Sequence, residues 1–468
     1  MNPTPKKEGL MRFKSLMIAT LLASAFSISA NASAKATEHV GDISPKNLKV
    51  TRGMTAEAKR CVECHAEKTP GHVNDWKQSR HGHVGVSCID CHGVKKDNPM
   101  AAQNCPGVKG TKTYVSVLVS PKTCEKCHPN EVEEFQHSGH ARGALQVRSK
   151  AGMQALMKKI EGRDHPKFKN SPEATGCMQC HGSIIELDAN KQPTAETWPN
   201  YGIGNVYPDG GVGNCKSCHS GHKFSIEEAR KPAACASCHL GPDHPDIEIY
   251  NNSMHGHIYN TEGNTWKYDS APDAWEPGDY RAPTCATCHM SGIGDLRTTH
   301  NVSRRLKWNI WAPISKLRDG GYDTAVSTYE KTGKITKGNP LAGHPDGHKA
   351  GRAEMEKVCK SCHTTLHTKN FFKMADQHVE LYNVYAKEAK GMIDELTKKG
   401  LMMKDKWSDP AFKVWYHLWH HQGRRMRQGA LMGAPDYAHW HGVFELQQDI
   451  RELRAIYNQR IKSGKIEH

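Results

Sequence analysis

The chain has 468 residues, of which 37% are hydrophobic and 24% charged, with a formal net charge of +15. A folded chain of this length normally buries a larger apolar core, so the composition argues for an interior filled partly by something other than side chains. A basic balance of this size is read as a solvated surface, as nucleic-acid or membrane binding, or as compensation for anionic groups that the protein carries.

Met1–Ala34 reads as a secretory signal. Lys6, Lys7, Arg12 and Lys14 form the basic start, Ser15–Ala30 is the apolar run, and Ala32-Ser-Ala34 is a small-residue cleavage site. Translation beginning at Met11 gives the same reading. The apolar run is short of a bilayer span, which disfavours an uncleaved anchor. Met1–Ala34 carries four bases and one acid, so its removal leaves +12. The expected location is periplasmic, as an exported soluble protein.

Lys35–Asn170 contains Cys61–His65, Cys88–His92 and Cys124–His128, all of the form CxxCH. Strand-like alternation is scarce there. Thr113–Val119 is the one convincing strand, and Met153–Ile160 looks like a short helix. Ser171–Met290 adds four motifs at close intervals, Cys177–His181, Cys215–His219, Cys235–His239 and Cys285–His289, joined by Gly/Pro-rich loops such as Tyr207–Gly213. Ser291–Glu356 is a long excursion with the aromatics Trp308, Trp311, Tyr322 and Tyr329 and a His-Pro-Asp-Gly-His run at His344–His348. That run suits a metal, a distal ligand or an exposed loop. The last motif is Cys359–His363.

These eight motifs use Cys61, Cys64, Cys88, Cys91, Cys124, Cys127, Cys177, Cys180, Cys215, Cys218, Cys235, Cys238, Cys285, Cys288, Cys359 and Cys362. CxxCH is the attachment signal for haem c: two thioethers fix the porphyrin edge, and the next residue (His65, His92, His128, His181, His219, His239, His289 or His363) reaches the iron. Zinc would pair CxxC units and gives no role to the following histidine. A disulfide framework explains neither the spacing nor the histidines. Cys105, the one cysteine left over, reads as a free thiol at a turn. Haem propionates would offset much of the basic excess, leaving any residual positive patch for an anionic substrate or an acidic redox partner.

A second repeat accompanies the first. Trp76-x-x-Ser79-x-His81-Gly82, Phe135-x-x-Ser138-x-His140-Ala141 and Tyr250-x-x-Ser253-x-His255-Gly256 share an aromatic, a serine, a histidine and a small residue. The aromatic can lie on a porphyrin face, the small residue allows close approach to the ring, and the histidine can bind iron opposite a CxxCH partner. His222 and His300 are further candidates for that role. One segment departs from the repeats: Gly241-Pro-Asp243-His244-Pro, an acid beside a base, just after the sixth motif.

Beyond His363 there is no cysteine. Val379, Tyr382, Ala386, Ala389, Ile393 and Leu396 fall at helical spacing, as do Phe412, Trp415 and Trp419, and then Val443, Leu446, Ile450 and Leu453. Three helices are expected. Gly429–Pro435 separates the last two, and a tight loop at Gly433–Gly442 carries Tyr437, His439, Trp440 and His441 after the basic run Arg424, Arg425, Arg427. The fold class is therefore mostly α: a multihaem cytochrome c with little β structure, a haem-filled core and a C-terminal helical bundle. The expected divisions are a signal peptide at 1–34, an octahaem domain at 35–368 and a helical region at 369–468 that makes an oligomer contact.

Eight CxxCH motifs, the Asp243-His244 pair and a cysteine-free tail with Asp436-Tyr437-x-x-Trp440-His441-Gly442 resemble the octahaem hydroxylamine oxidoreductase family over nearly the whole mature chain. The resemblance implies eight covalent haem c groups, with the one at Cys177, Cys180 and His181 open on one side as the catalytic haem. Asp243 and His244 would be its distal acid–base pair, and the other haems bis-histidine electron carriers. It also implies a homotrimer, a small nitrogen-containing substrate, a cytochrome or quinone-linked redox partner, and no nucleic acid. Oxidative members cross-link a tyrosine from a neighbouring subunit to the active porphyrin. Tyr437 is the candidate; if Phe444 is instead the matching position, the cross-link is absent, as in reductive members. The related nitrite reductases with CxxCK at the catalytic haem are disfavoured, because every motif here ends in His. Hydroxylamine oxidation is the expected reaction. The alternatives are reduction of nitrite or hydroxylamine to ammonium by the same scaffold, and a plain electron carrier with every iron bis-histidine.

Overall fold

Every CxxCH motif coincides with a helical turn or ends one. In a helix, residues i, i+3 and i+4 share a face, so both cysteines and the histidine approach one object from the same side. The computed structural model describes residues 54–148, 176–319, 324–336 and 342–466. Met1–Ala34, Met153–Ile160 and Tyr322 lie outside the described residues.

The first motif sits inside helix Ala56–Lys68, which Thr55 caps by accepting from the Ala58 amide at 3.1 Å. The second and seventh are five-residue helices, Cys88–His92 and Cys285–His289. Each opens with a reciprocal cap, Ser87 with Asp90 and Thr284 with Thr287. The eighth closes helix His348–Lys360. Among the described residues, strands are confined to two-residue pairs, Gly93–Val94 with Tyr114–Val115 and Trp308–Asn309 with Lys316–Leu317, both antiparallel. The strand expected at Thr113–Val119 is thus cut to Tyr114–Val115, near its start. The Ser116 amide still bonds to the His92 carbonyl opposite it at 2.9 Å, but the Ser116 hydroxyl then accepts from the Leu118 amide at 3.0 Å, a local turn that ends the pairing there.

The tail is the conventionally packed part. Helix Thr365–Lys398 starts on a Thr364 cap directly after the eighth motif, and the expected boundary at residue 368 lies in its first turn. All six of its periodic positions, Val379 to Leu396, are buried. All but Val379 pack with Trp415, Leu418, Met426, Leu446, Ile450 and Leu453 in the largest apolar cluster among the described residues. Leu396, Leu446 and Leu453 are fully buried, each stabilising the fold by about 1.5–3 kcal/mol. The other clusters contain six buried residues at most. Around the motifs, then, side chains alone make little core.

The segment expected as a loop at Gly433–Gly442 is largely helical. Helix Pro410–His417 continues through a π-turn, Leu418–Gln422, into helix Gly423–Met432. Gly433, at φ +69°, ends it. Pro435 then opens a short helix to Ala438, and a second π-turn, His439–Phe444, leads into helix Glu445–Ser463. Gly442 allows this, since a Cβ there would lie 2.5 Å from the Tyr437 carbonyl oxygen and 2.7 Å from Met426 Cα. Gly and Pro mark here a change of helix rather than a loop.

Candidate active site

The aromatic–Ser–x–His repeat is one local structure used three times. Ser79, Ser138 and Ser253 each sit in extended backbone between two helical turns. Each donates its hydroxyl to the carbonyl of the aromatic three residues back, at 2.7 Å in all three cases. In two of them the same hydroxyl accepts the amide three residues on, Gly82 at 2.9 Å and Gly256 at 3.1 Å. The serine thus ends one helix and caps the next. The small residue answers to this kink: a Cβ on Gly82 would lie 2.2 Å from the Trp76 carbonyl oxygen, and one on Gly256 would lie 1.9 Å from that of Tyr250. The first constraint on its size is therefore the neighbouring backbone. The histidine between serine and small residue is projected from the first turn of the new helix.

Two imidazoles on opposite sides of one iron have ring centres about 6 Å apart, from about 2 Å per metal–nitrogen bond and about 1 Å from nitrogen to ring centre. The structure sets His81 6.1 Å from His128, His222 6.2 Å from His92, His140 6.0 Å from His239, His300 6.5 Å from His219 and His255 6.1 Å from His363. Each of the five histidines named as opposing ligands therefore faces a different CxxCH histidine at iron-bridging separation. Burial pushes His140 down to about 3 and His222 and His300 down to about 4, so these rings are neutral, as ligation requires. His65, His181 and His289 have no facing ring at that separation among the described residues.

The cysteines of different motifs also come close enough to interact electrostatically. Cys61 meets Cys88, Cys91 meets Cys124, Cys124 meets Cys215, and Cys218 meets Cys235 and Cys238. Cys238 meets Cys180, Cys235 meets Cys285, and Cys288 meets Cys359. All eight motifs are linked in this way, with the sixth touching the fourth, fifth and seventh. The seventeen cysteines are free of disulfides. Among the described residues no three His, Cys, Asp or Glu side chains converge on a bare-ion site. Facing imidazoles, thiols brought together without disulfides and a sparse apolar interior fit haem c.

The fourth motif is fixed by backbone. Gly182, at φ +86°, has room for no Cβ, which would lie 2.6 Å from the Asn205 amide nitrogen; one on Gly202 would lie 1.9 Å from the Gly182 nitrogen. The Ile203 and Gly204 amides donate to the Cys180 and His181 carbonyls at 3.0 and 3.2 Å. Burial, and then the neighbouring His244, hold the His181 imidazole below its ordinary value. The Asp243-His244 pair is thus within electrostatic reach of His181, and the His244 ring centre lies 6.1 Å from that of His239. His244 donates Nδ1–H to the Leu240 carbonyl at 2.9 Å, which leaves Nε2 as the nitrogen available for other work. Asp243 Oδ1 lies 3.3 Å from the same Nδ1. Both side chains are about 30% exposed, enough for a small polar molecule to reach them.

Three more residues complete the surroundings, all from distant parts of the chain. Arg424 donates to the Asp243 carbonyl at 3.2 Å, to Asp243 Oδ2 at 3.4 Å and to the Trp311 carbonyl at 3.1 Å. Its guanidinium stacks on Trp311 at 4.9 Å and Trp419 at 5.5 Å. The Trp311 ring stands edge-on to His244 at 5.9 Å. His420 Nε2 is 3.7 Å from Asp243 Oδ2. Sequence reading named Arg424 and Trp311 without this role and passed over His420. The usable signal was a run of three arginines in a short helix between the apolar stripes of the tail.

Asp246, also passed over, accepts from His239 Nδ1 at 2.7 Å and from Gln428 at 2.8 Å. Burial alone would lower His239, but the carboxylate raises it to about 9. Tyr437 does not join Asp243 and His244. Its ring faces His441 at 5.2 Å, and its backbone crosses Gly429 of its own chain. Trp440 and Phe444, edge-to-face at 5.0 Å, are the exposed aromatics of that segment. Of the excursion aromatics, Trp308 bonds to Asp376 at 2.8 Å and Tyr329 packs against the Ala141–Leu145 cluster, so they do not gather around Trp311. His344 is buried on Glu354 at 3.0 Å, and His348 pairs with Asp319 at 3.0 Å.

Three family descriptions match parts of the chain: a multi-haem cytochrome described as seven times CxxCH over residues 210–320, cytochrome c7 and related cytochrome c over 161–240, and cytochrome c554 and c-prime over 23–93. A probable nitrite reductase-hydroxylamine oxidoreductase fusion protein of Kuenenia stuttgartiensis is 28% identical over 355 residues, covering 68% of this chain and 35% of that protein. The chain therefore spans about a third of that relative. Among solved structures, a hypothetical multiheme protein superposes with a TM-score of 0.70 at 22% identity, covering 90% of this chain and 98% of its own. A reducing HAO-like protein complex of Kuenenia stuttgartiensis superposes with a TM-score of 0.56 at 20% identity, covering 87% and 86%. Among the described residues no helix is long and apolar enough to cross a membrane.

Proposed function

We propose that this chain is a multihaem cytochrome c acting as an oxidoreductase of small inorganic nitrogen compounds, working reductively on nitrite or hydroxylamine; the multi-haem cytochrome match and the 28% identity to the nitrite reductase-hydroxylamine oxidoreductase fusion protein support this reading. What supports the catalytic part is the Asp243-His244 pair, anchored by Arg424 and within electrostatic reach of His181. Eight haem c groups are proposed, with the one at Cys177 and Cys180 open towards that pair. When bound, the haems would supply an iron site for nitrogen and a store of electrons.

The chain's own residues then have defined tasks. His244 hands protons to the bound nitrogen species from Nε2 and regains them, while Asp243 steadies the imidazolium that forms in between. Arg424 fixes the Asp243 carboxylate, and Trp311 walls the pocket beside the His244 ring. Nitrite reduction to ammonium consumes six electrons and eight protons and releases two waters, so proton supply is as demanding as electron supply.

The direction rests on the tail. Tyr437 is engaged with His441 and Gly429 of its own chain, and the exposed aromatics Trp440 and Phe444 carry no phenol. We read the tail as making no tyrosine–porphyrin link to a neighbour, and take the reductive direction on that basis. Hydroxylamine oxidation is the second reading, favoured if Tyr437 swings out on assembly. A homotrimer joined through the tail, an exported location and a cytochrome or quinone-linked electron donor complete the proposal. Intact-mass measurement and the reduced optical spectrum test it, together with nitrite-dependent oxidation of a reduced viologen. Eight unmodified haems with ammonium as product are expected; a cross-linked haem and nitrite formed from hydroxylamine would reverse the direction.

A further inference from the structure

We propose that His417, His421 and His420 form a relay that carries protons between solvent and Asp243. The inference rests on the proposed function, since only a proton-consuming or proton-releasing site needs such a path.

Three imidazoles occur within five residues, across the π-turn Leu418–Gln422 that joins two helices. π-turns in helices recur at functional sites. The rings descend in exposure: His417 is exposed, His421 half-buried and His420 buried. His417 stacks on His421 with centroids 5.2 Å apart and planes 19° off parallel. His421 lies 5.3 Å from His420. His420 Nε2 is 3.7 Å from Asp243 Oδ2, and Asp243 Oδ1 is 3.3 Å from His244. Each step is one imidazole hop or the span of a single bridging water. Tyr416 lies flat on the His420 ring at 4.5 Å, which holds it in line. His420 Nδ1 is buried with no hydrogen-bond partner, a costly arrangement for a purely structural histidine.

The charges around the line suit conduction. His420 is faced by Arg424, Asp243, His244 and His421; His421 by Arg425, Arg424 and Asp243; His417 by Glu452 of the last helix. Burial, then Arg424, keeps His420 neutral, at about 2, and burial with His417 keeps His421 neutral, at about 4. A neutral imidazole accepts a proton on one nitrogen and releases another from its second, so the line passes protons without storing charge. The plain alternative, an aromatic cluster that only packs, does not account for a graded series of imidazoles ending on a carboxylate.

The test compares holoprotein variants His420→Ala, His421→Gln and His244→Ala in nitrite- and hydroxylamine-dependent turnover. His420→Ala is expected to lower kcat about tenfold or more, with KM, haem content and the cyanide-bound spectrum unchanged. Its solvent deuterium isotope effect should rise, and its activity should fall more steeply with rising pH. His421→Gln, nearer the surface and safe for folding, should show a smaller loss that added imidazole restores. Unchanged turnover and isotope effect in both variants would overturn the relay. Loss in His244→Ala without loss in the other two sinks the relay alone, whereas no loss in His244→Ala sinks the proposed function.

Discussion

Arg424→Met asks whether the tail helix organises the chemistry. Methionine keeps much of the length and stacking between Trp311 and Trp419 but removes the charge. Lost are the bonds to the Asp243 carbonyl, the Asp243 carboxylate and the Trp311 carbonyl. Two neutral acceptors and one charged one, at about 1 kcal/mol and about 1.5–3 kcal/mol respectively, set a gross loss of about 3–5 kcal/mol. Arg424 is 6% exposed, so relief from burying a guanidinium offsets part of this, leaving about 2–3 kcal/mol. With Asp243 unanchored, His244 loses its orientation, and turnover should drop about a hundredfold, equivalent to about 2.7 kcal/mol of barrier. Urea unfolding gives the first quantity and steady-state turnover the second, with cyanide affinity as the control for an intact iron site. A folded variant with wild-type turnover would refute the claim that Arg424 organises Asp243.

Gly256→Ala places a Cβ on the Tyr250 carbonyl, so the backbone must shift, at a cost of about 1–3 kcal/mol. It should detach His255 from opposite His363 and add a second high-spin signal in electron paramagnetic resonance without loss of haem. Asp246→Asn removes the carboxylate on His239 Nδ1 and should raise that haem's reduction potential by about 60 mV, the equivalent of a tenfold change in a one-electron equilibrium; spectroelectrochemical titration reads it. Asp449 is raised to about 7 by burial, then by Glu452 and Glu445, and its buried Oδ2 accepts no hydrogen bond. An acid raised on folding destabilises progressively as pH climbs from its unfolded value, near 4, to its folded one. Asp449→Asn should therefore stabilise the protein by about 2 kcal/mol above pH 7, allowing for solvent screening, and change little near pH 4. Thermal unfolding at the two pH values checks it.

What could be read from the sequence follows the range of the interactions. CxxCH is a single helical turn, and the aromatic–Ser–x–His kink closes within seven residues, so both are written locally. The tail stripes at Val379–Leu396 and Val443–Leu453 are legible for the same reason, since helical period and burial coincide. Asp243 and His244 stand out as an isolated polar pair between prolines. Their supports do not: Arg424 meets Asp243 across 181 residues, and Gln428 meets Asp246 across 182. No spacing rule brings these together. The Gly433–Gly442 segment misleads because Gly and Pro there serve a change of helix and a close crossing on Met426. The strand at Thr113–Val119 misleads because β-branched residues predict extension, whereas a ladder lasts only as long as its partner, and the turn closed by the Ser116 hydroxyl ends the pairing.

The most direct test is electron paramagnetic resonance of the oxidised holoprotein, with and without cyanide or nitrite. The account predicts one high-spin haem that converts to low spin on binding the ligand, at the site of His181, with the remaining haems low-spin throughout. Finding every haem low-spin and unresponsive would contradict it and make the protein a conductor of electrons without a substrate.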